Sequence, residues 1–175
     1  MLKSEERELM KKIKVVGIGN TLMSDDGVGV FTIEELARRY DLPENVELID
    51  GGTKGIELLP YLEGSSKLLF IDAVNFGKEP GYIGEIEKHK VAEYFQTKLS
   101  VHQIALPDML GAGMFLGSLP EEIYLIGIQP ESVEIGYGLS PTIRERLDSF
   151  IDKIVEKLRS WGVYVSCNTI KDNKY

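Results

Sequence analysis

The sequence predicts an α/β protein with a single three-layer domain, in which helices cover both faces of a twisted, mostly parallel sheet. Two observations favour this class. Strand-like and helix-like segments alternate along the chain, beginning with a β-branched run at 13–18 and an amphipathic segment at 28–40. A later run at 67–74, KLLFIDAV, is almost continuously apolar. Such a run is typical of a central parallel strand that is buried on both faces.

The remaining elements continue this alternation. Short apolar runs predict strands, apolar residues at helical spacing predict helices, and Gly, Pro, Asn and Asp separate them. In chain order we predict a strand at 46–49, a short helix at 55–62, the strand at 67–74, a strand at 82–87, helices at 91–99 and 106–116, a strand at 123–128 and a long final helix. Ser140 and Pro141 are typical of the N-cap and first position of that helix. Its apolar stripe ends at Trp161, which we interpret as a core residue.

Composition limits the function classes. The chain has 175 residues, enough for one domain, and 28 acidic against 20 basic residues give a formal net charge of −8. Such a charge disfavours nucleic acid as a partner. No segment approaches the roughly 20 consecutive apolar residues of a membrane-spanning helix. We therefore expect neither nucleic acid nor a membrane to be bound.

The ends of the chain differ from its middle. Residues 1–12 form a charged extension without the apolar run of a signal peptide, 13–166 form the single α/β domain, and 167–175 form a polar tail. The one cysteine, Cys167, permits no intramolecular disulfide and suits a reducing compartment. We expect a cytoplasmic protein that acts as a monomer.

The loop after the first strand carries adjacent carboxylates. Residues 17–29 read GIGNTLMSDDGVG, which begins like a dinucleotide-binding loop, but Leu22 stands where the third glycine is required. Asp25 and Asp26 disfavour a phosphate there, since two like charges about 4 Å apart repel by roughly 1 kcal/mol even in water. Capping of the following helix would use one of the two carboxylates and leave the other. The loop therefore favours a cation.

Two further residues complete a candidate metal site. Asp72 directly follows the apolar residues 68–71, at the exit of the central strand, so it is expected at the same sheet edge as the first loop. His102 lies between two predicted helices. One carboxylate of the Asp25–Asp26 pair, Asp72 and a neutral imidazole would suit zinc, nickel or another divalent ion, with coordination positions left open. His89 lies among charged residues and is expected at the surface.

Five groups of segments, in order along residues 13–161, resemble the nickel-iron hydrogenase maturation endopeptidases. They are Gly17-Ile18-Gly19-Asn20 with Asp25-Asp26-Gly27, Asp50-Gly51-Gly52-Thr53, Asp72-Ala73, His102-Gln103, and Pro130-Glu131-Ser132 with Gly138-Leu139-Ser140-Pro141. The resemblance implies the same α/β architecture and makes 13–166 a peptidase domain. It also implies a hydrogenase large-subunit precursor as partner, from which a C-terminal extension is removed after nickel insertion.

The resemblance also implies roles for individual residues. The metal-binding positions of the family correspond to Asp26, Asp72 and His102, and the first of these is often Glu in the family. We expect these residues to bind the nickel carried by the precursor, or a metal such as zinc in vitro, and Asp26 or Asp72 to activate water. Substrate-binding roles are expected for Asp50, Gly51, Gly52, Thr53 and Gln103.

Two other functions compete with this hypothesis. The first is a zinc-dependent hydrolase that acts on small substrates, which composition does not exclude. The second is a receiver-like signalling module. Receivers have an acidic pair after the first strand and a further Asp after the third, and Asp25, Asp26 and Asp72 fit these positions. Receivers, however, carry a lysine where this chain has Gln129 and Pro130. No Ser/His/Asp or Cys/His arrangement is evident, so no covalent nucleophile is assigned.

Overall fold

The computed structural model describes residues 11–97, 110–111, 113, 117–120 and 122–168. Within these ranges the strands are β1 (Ile13–Ile18), β2 (Tyr40–Asp41), β3 (Val46–Gly52), β4 (Lys67–Ala73), β5 (Ile83–Glu87), β6 (Glu122–Ile128) and β7 (Ser166–Cys167). The described part contains a five-stranded sheet of order β3-β1-β4-β6-β5. Its first four strands are parallel, and β5 pairs antiparallel with β6. The small strands β2 and β7 form a separate antiparallel pair.

Helices pack on both faces of the sheet. Those with complete bounds in the described ranges are, in chain order, α1 (Val28–Arg39), α2 (Leu59–Leu62), α3 (His89–Thr97) and α4 (Pro141–Ser160), with single 3₁₀ turns at Ser24–Gly27 and Gly55–Leu58. One core cluster joins α1 and α4 to side chains such as Val15 of β1, and the other joins α2 and α3 to side chains such as Val16. Neighbouring strand residues thus point into opposite layers, which confirms the predicted α/β class.

Most predicted elements occur close to their expected positions. β1 has the predicted bounds, and β3 extends to Gly52 rather than ending at 49. The predicted helix at 55–62 is a 3₁₀ turn followed by one α-helical turn that contains Pro60. The predicted helix at 106–116 lies mostly outside the described residues, although 110, 111 and 113 are helical.

The final helix begins and ends as predicted. The Ser140 side chain accepts a hydrogen bond from the backbone N–H of Ile143 at 3.4 Å, and Pro141 occupies the first turn. Trp161 is partly buried and packs against the core, which confirms its interpretation as a core residue. His89 and Cys167 are both exposed. No helix in the described ranges is long and apolar enough to cross a membrane.

The order of the strands creates a switch point between β1 and β4. From β1 the chain passes through α1 to β3 on one side, and it then crosses to β4 on the other side of β1. In open α/β sheets, ligands bind beyond the carboxyl ends of the strands at such a point. A ligand-binding site is therefore expected at the loops that follow β1 and β4.

Candidate active site

Two glycines allow the loop after β1 and the first turn of α1 to pack closely against neighbouring backbone. Gly19 has φ +132°, and a Cβ there would lie 1.8 Å from the backbone oxygen of Asp26. A Cβ on Gly29 would lie 2.2 Å from the carbonyl oxygen of Ile71 and 2.4 Å from that of Ile18. No larger residue fits either position without moving the backbone. This close packing brings the Asp25–Asp26 pair to the switch point.

Asp25 is a structural residue. Its buried carboxylate accepts four hydrogen bonds from described groups: the backbone N–H of Glu131 at 3.0 Å, that of Ser132 at 3.0 Å, and the N–H and Oγ of Ser140 at 2.7 and 2.8 Å. Asp25 therefore joins the first loop to the segment 131–140. The predicted capping role is wrong, because the N-cap of α1 is Gly27 and no side chain caps it.

Asp26 is held by the turn that precedes it. Its Oδ2 accepts a hydrogen bond from the backbone N–H of Asn20 at 2.9 Å, and the Asn20 side chain accepts one from the N–H of Leu22 at 2.9 Å. Asp26 is partly exposed, whereas Asp25 is buried. The two adjacent carboxylates thus have different environments, and Asp26 is the one that solvent or a ligand can reach.

Asp72 is the next-to-last residue of β4 and is completely buried. Its Oδ1 accepts a hydrogen bond from the N–H of Ala73 at 2.9 Å, and its Oδ2 lies 3.3 Å from the hydroxyl oxygen of Tyr94, which can donate to it. The same hydroxyl lies 3.0 Å from the carbonyl oxygen of Ala73. The Tyr94 side chain, on α3, therefore fixes the carboxylate at the exit of β4.

Burial and nearby carboxylates raise the pKa of the Tyr94 hydroxyl. Burial raises the pKa of Tyr94, and the charge of Asp72, the hydrogen bond to Asp72 and the charge of Asp26 raise it further. The hydroxyl thus remains protonated at neutral pH and can donate its one proton to the carboxylate of Asp72 or to the carbonyl of Ala73. Sequence reasoning missed this residue. The available signal was a tyrosine next to the apolar stripe of Val91 and Phe95, since a buried tyrosine needs a partner for its hydroxyl.

Gln129 orders the loop that follows Asp72. Its side-chain oxygen accepts hydrogen bonds from the backbone N–H of Phe76 at 2.7 Å and of Lys78 at 3.3 Å. Its amide nitrogen donates to Oδ1 of Asn75 at 3.3 Å. Where a receiver domain would have a lysine, this chain therefore has an amide that holds the loop 75–78.

The predicted substrate-binding segment lies at the same sheet edge. Asp50, Gly51 and Gly52 end β3, and the N–H of Gly19 donates to the carbonyl of Gly52 at 3.0 Å. A Cβ on Gly51 would lie 2.9 Å from the carbonyl oxygen of Gly17, so this glycine makes room for β1. Asp50 and Thr53 are exposed beside it. Contact of this segment with a substrate stays a prediction.

The third predicted metal ligand is not tested. His102 and Gln103 lie outside the described residues. Among the residues that the structure does describe, no group of three or more His, Cys, Asp and Glu side chains could hold a metal ion. Asp26 and Asp72 supply two carboxylates at one sheet edge, and a neutral phenol lies beside Asp72. Such an arrangement can attract a cation or accept a proton from water.

The chain is similar in sequence to proteins of one family. Residues 30–157 match the family model HycI, hydrogenase maturation protease. The hydrogenase expression/formation protein HupD of Bradyrhizobium diazoefficiens is 40% identical over 157 residues, which cover 89% of this chain and 82% of that protein. The hydrogenase 2 maturation protease of Escherichia coli is 38% identical over 153 residues, which cover 87% and 93% of the two chains.

A solved structure extends the likeness to the fold. The hydrogenase maturating endopeptidase HybD from Escherichia coli superposes with a TM-score of 0.86 at 36% identity, covering 90% of this chain and 98% of that one. The match includes the α/β architecture that places Asp26 and Asp72 at one sheet edge. The chain therefore belongs to the hydrogenase maturation protease family, and it is a peptidase.

Proposed function

We propose that this peptidase removes the C-terminal extension of a nickel-iron hydrogenase large-subunit precursor after nickel has been inserted. The observation that carries the proposal is the placement of Asp26, in the loop after β1, and Asp72, near the end of β4, at the switch point of the sheet, with the Tyr94 hydroxyl 3.3 Å from the Asp72 carboxylate. The names of the relatives support the class of reaction. The single cysteine supports a cytoplasmic reaction, and we expect a monomeric enzyme.

In this proposal the nickel is part of the substrate. Asp26, Asp72 and His102 bind the ion that the precursor carries, and zinc could replace nickel in vitro. Two carboxylates suit a divalent cation. The Tyr94 hydroxyl fixes the orientation of the Asp72 carboxylate by donating a hydrogen bond to it. Nickel held there would place the scissile bond next to the carboxylates and could polarise its carbonyl. A precursor without nickel would lack this anchor.

Asp26 is the better placed of the two acids to accept a proton from water. It is partly exposed, whereas Asp72 is buried within the sheet edge. A carboxylate within reach of a water molecule can act as general base when that water attacks the scissile carbonyl. Asp50, at the end of β3, and Thr53, just beyond it, are exposed at the same sheet edge. Since β3 and β4 flank β1 on opposite sides, these two residues would contact the peptide on the β3 side of the site.

Mass spectrometry of a nickel-loaded precursor tests this proposal. The parent protein should release a C-terminal peptide, and Asp26→Asn and Asp72→Asn should each leave the precursor intact. Asp41→Asn is a matched control, because Asp41 is exposed on β2 and takes no part in the site. Circular dichroism of each variant shows whether its fold is retained. Cleavage at the parental rate by both folded site variants would overturn the assignment.

A further inference from the structure

An exposed apolar surface borders Asp26. Seven large hydrophobic residues are exposed in the described part of the chain, and four of them, which we call the apolar rim, lie on the two segments that flank the candidate site. The apolar rim consists of Leu22, Val133, Ile135 and Tyr137. Ile135 is 89% exposed and Tyr137 is 76% exposed. Single exposed apolar residues are ordinary, but a group of this kind marks a contact surface.

The backbone under the apolar rim is firmly held. The N–H of Ser24 donates to the carbonyl of Gly136 at 2.7 Å, and the N–H of Gly136 donates to the carbonyl of Leu22 at 2.9 Å. The Ser24 hydroxyl donates to the carbonyl of Glu134 at 2.8 Å, and the buried Asp25 carboxylate holds both ends of the segment 131–140. The side chains are therefore presented on an ordered support, which lowers the entropic cost of docking.

Aromatic packing adds to this support. The ring of Tyr137 packs edge-on against Phe31 of α1, with ring centroids 5.5 Å apart. Tyr137 is nevertheless largely exposed, so most of its surface remains available to a partner. An aromatic side chain anchored on one side and exposed on the other is the kind of residue that dominates binding energy at protein interfaces.

The two segments that carry the apolar rim contain acidic but no basic residues. Residues 15–37 and 122–143, which include all four rim residues, contain no Lys or Arg. Asp26, Glu131 and Glu134 belong to these segments, and both glutamates are exposed between or beside the apolar residues. A partner that carries Lys or Arg next to apolar side chains would be complementary, whereas an acidic partner would be repelled.

The apolar rim is continuous with the candidate site. The N–H of Leu22 donates to the side chain of Asn20, and the N–H of Asn20 donates to the carboxylate of Asp26. A chain bound to the apolar rim at Leu22 is thus next to the turn that holds the partly exposed carboxylate of Asp26. Binding energy gained at such a remote contact can be used to position the scissile bond.

We propose that the apolar rim docks a segment of the hydrogenase large-subunit precursor that presents apolar side chains beside Lys or Arg. This inference rests on the proposed function and names where that substrate is bound. The apolar rim contributes affinity and orientation, and Asp26 and Asp72 act at the neighbouring edge. Loss of the rim side chains therefore weakens binding of the precursor without changing the carboxylates.

The double variant Ile135→Ser/Tyr137→Ser tests the docking surface. Its Kd for nickel-free precursor and its KM for cleavage of nickel-loaded precursor should each rise by about tenfold, with kcat close to that of the parent protein. Tyr164→Ser is the matched control, because Tyr164 is 79% exposed but follows the far end of the twenty-residue helix α4, which is about 30 Å long. It should leave both constants unchanged.

A charge variant provides a second test. Glu131→Lys/Glu134→Lys should also raise Kd and KM, and it should weaken or reverse the decrease in affinity that added salt causes for the parent protein. Values of Kd and KM within twofold of the parent for both double variants would overturn the docking surface while leaving the proposed function standing. A parent protein that neither binds nor cleaves the precursor would instead overturn both.

Discussion

Asp25 and Ser140 are 115 residues apart in the sequence and are joined by two hydrogen bonds. The Asp25 carboxylate accepts one from the backbone N–H of Ser140 at 2.7 Å and one from its hydroxyl at 2.8 Å. The same hydroxyl oxygen caps α4 by accepting from the N–H of Ile143. The start of the last helix and the loop before Asp26 are therefore held by one buried carboxylate.

Asp25→Asn should lower the free energy of unfolding by about 3 kcal/mol, because a buried amide NH₂ would face N–H and O–H donors in place of a carboxylate oxygen. Urea denaturation measures the change. Asp41→Asn, at an exposed position, should shift the free energy of unfolding by no more than about 0.5 kcal/mol. Equal stability of the two variants would show that the hydrogen bonds of Asp25 contribute little.

Gly29→Ala should destabilise the protein by about 3 kcal/mol and should also slow cleavage. The added methyl group would lie 2.2 Å from the carbonyl oxygen of Ile71 and 2.4 Å from that of Ile18, so α1 must move away from β1 and β4. Gly111→Ala is the control, since no atom of another described residue lies within 4 Å of a Cβ added there. Thermal unfolding and the precursor assay together measure both effects, and a Gly29→Ala protein as active as the control would contradict the packing described.

Tyr94→Phe should lower kcat/KM about tenfold while changing the free energy of unfolding by only about 1 kcal/mol. The substitution keeps the ring but removes the hydroxyl that lies 3.3 Å from Oδ2 of Asp72 and 3.0 Å from the carbonyl oxygen of Ala73. Tyr61→Phe, at an exposed position, serves as control. If steady-state kinetics give the two variants the same kcat/KM, Tyr94 does not position Asp72.

The pair of Tyr124 and Glu87 should have a measurable effect at high pH. The Tyr124 hydroxyl donates a hydrogen bond to Glu87, and this bond, aided by burial, raises the pKa of Tyr124 to about 12. Glu87→Ala should return that pKa toward the ordinary value of about 10, as followed by the ultraviolet absorbance of tyrosinate. Glu79→Ala should leave the titration unchanged.

The sign of the linked stability follows from the direction of this shift. The folded protein keeps a proton on Tyr124 that the unfolded chain releases near pH 10. The stabilisation from the pair is therefore complete below about pH 10 and is lost as the pH rises toward 12. A parent protein whose stability relative to Glu87→Ala did not fall over this interval would contradict the assignment.

Local sequence patterns predicted the parts of the fold that depend on local chemistry. The apolar runs of β1 and β4 and the Ser140 cap could be found because burial and capping use adjacent residues. The rule that ligands bind beyond parallel strands then placed Asp26 and Asp72 at one edge. The antiparallel direction of β5 could not be found, since its residue pattern does not encode direction.

The different roles of Asp25, Asp26 and Tyr94 depend on contacts between segments that are far apart in the sequence. Asp25 differs from Asp26 only because the segment 131–140 returns to surround it. Tyr94 reaches Asp72 only because α3 packs against the layer that contains β4. No local pattern specifies either approach, so local patterns left the two adjacent acids undivided, and only the family resemblance distinguished Asp26. Neither suggested the tyrosine.

The most direct test of the account compares one large-subunit precursor with and without nickel. Each form is incubated with the parent protein and with Asp26→Asn, and mass spectrometry follows release of the C-terminal peptide. Release is expected only from the nickel-loaded precursor and only with the parent protein. Equal release from the nickel-free precursor, or release by a folded Asp26→Asn protein at the parental rate, would contradict it.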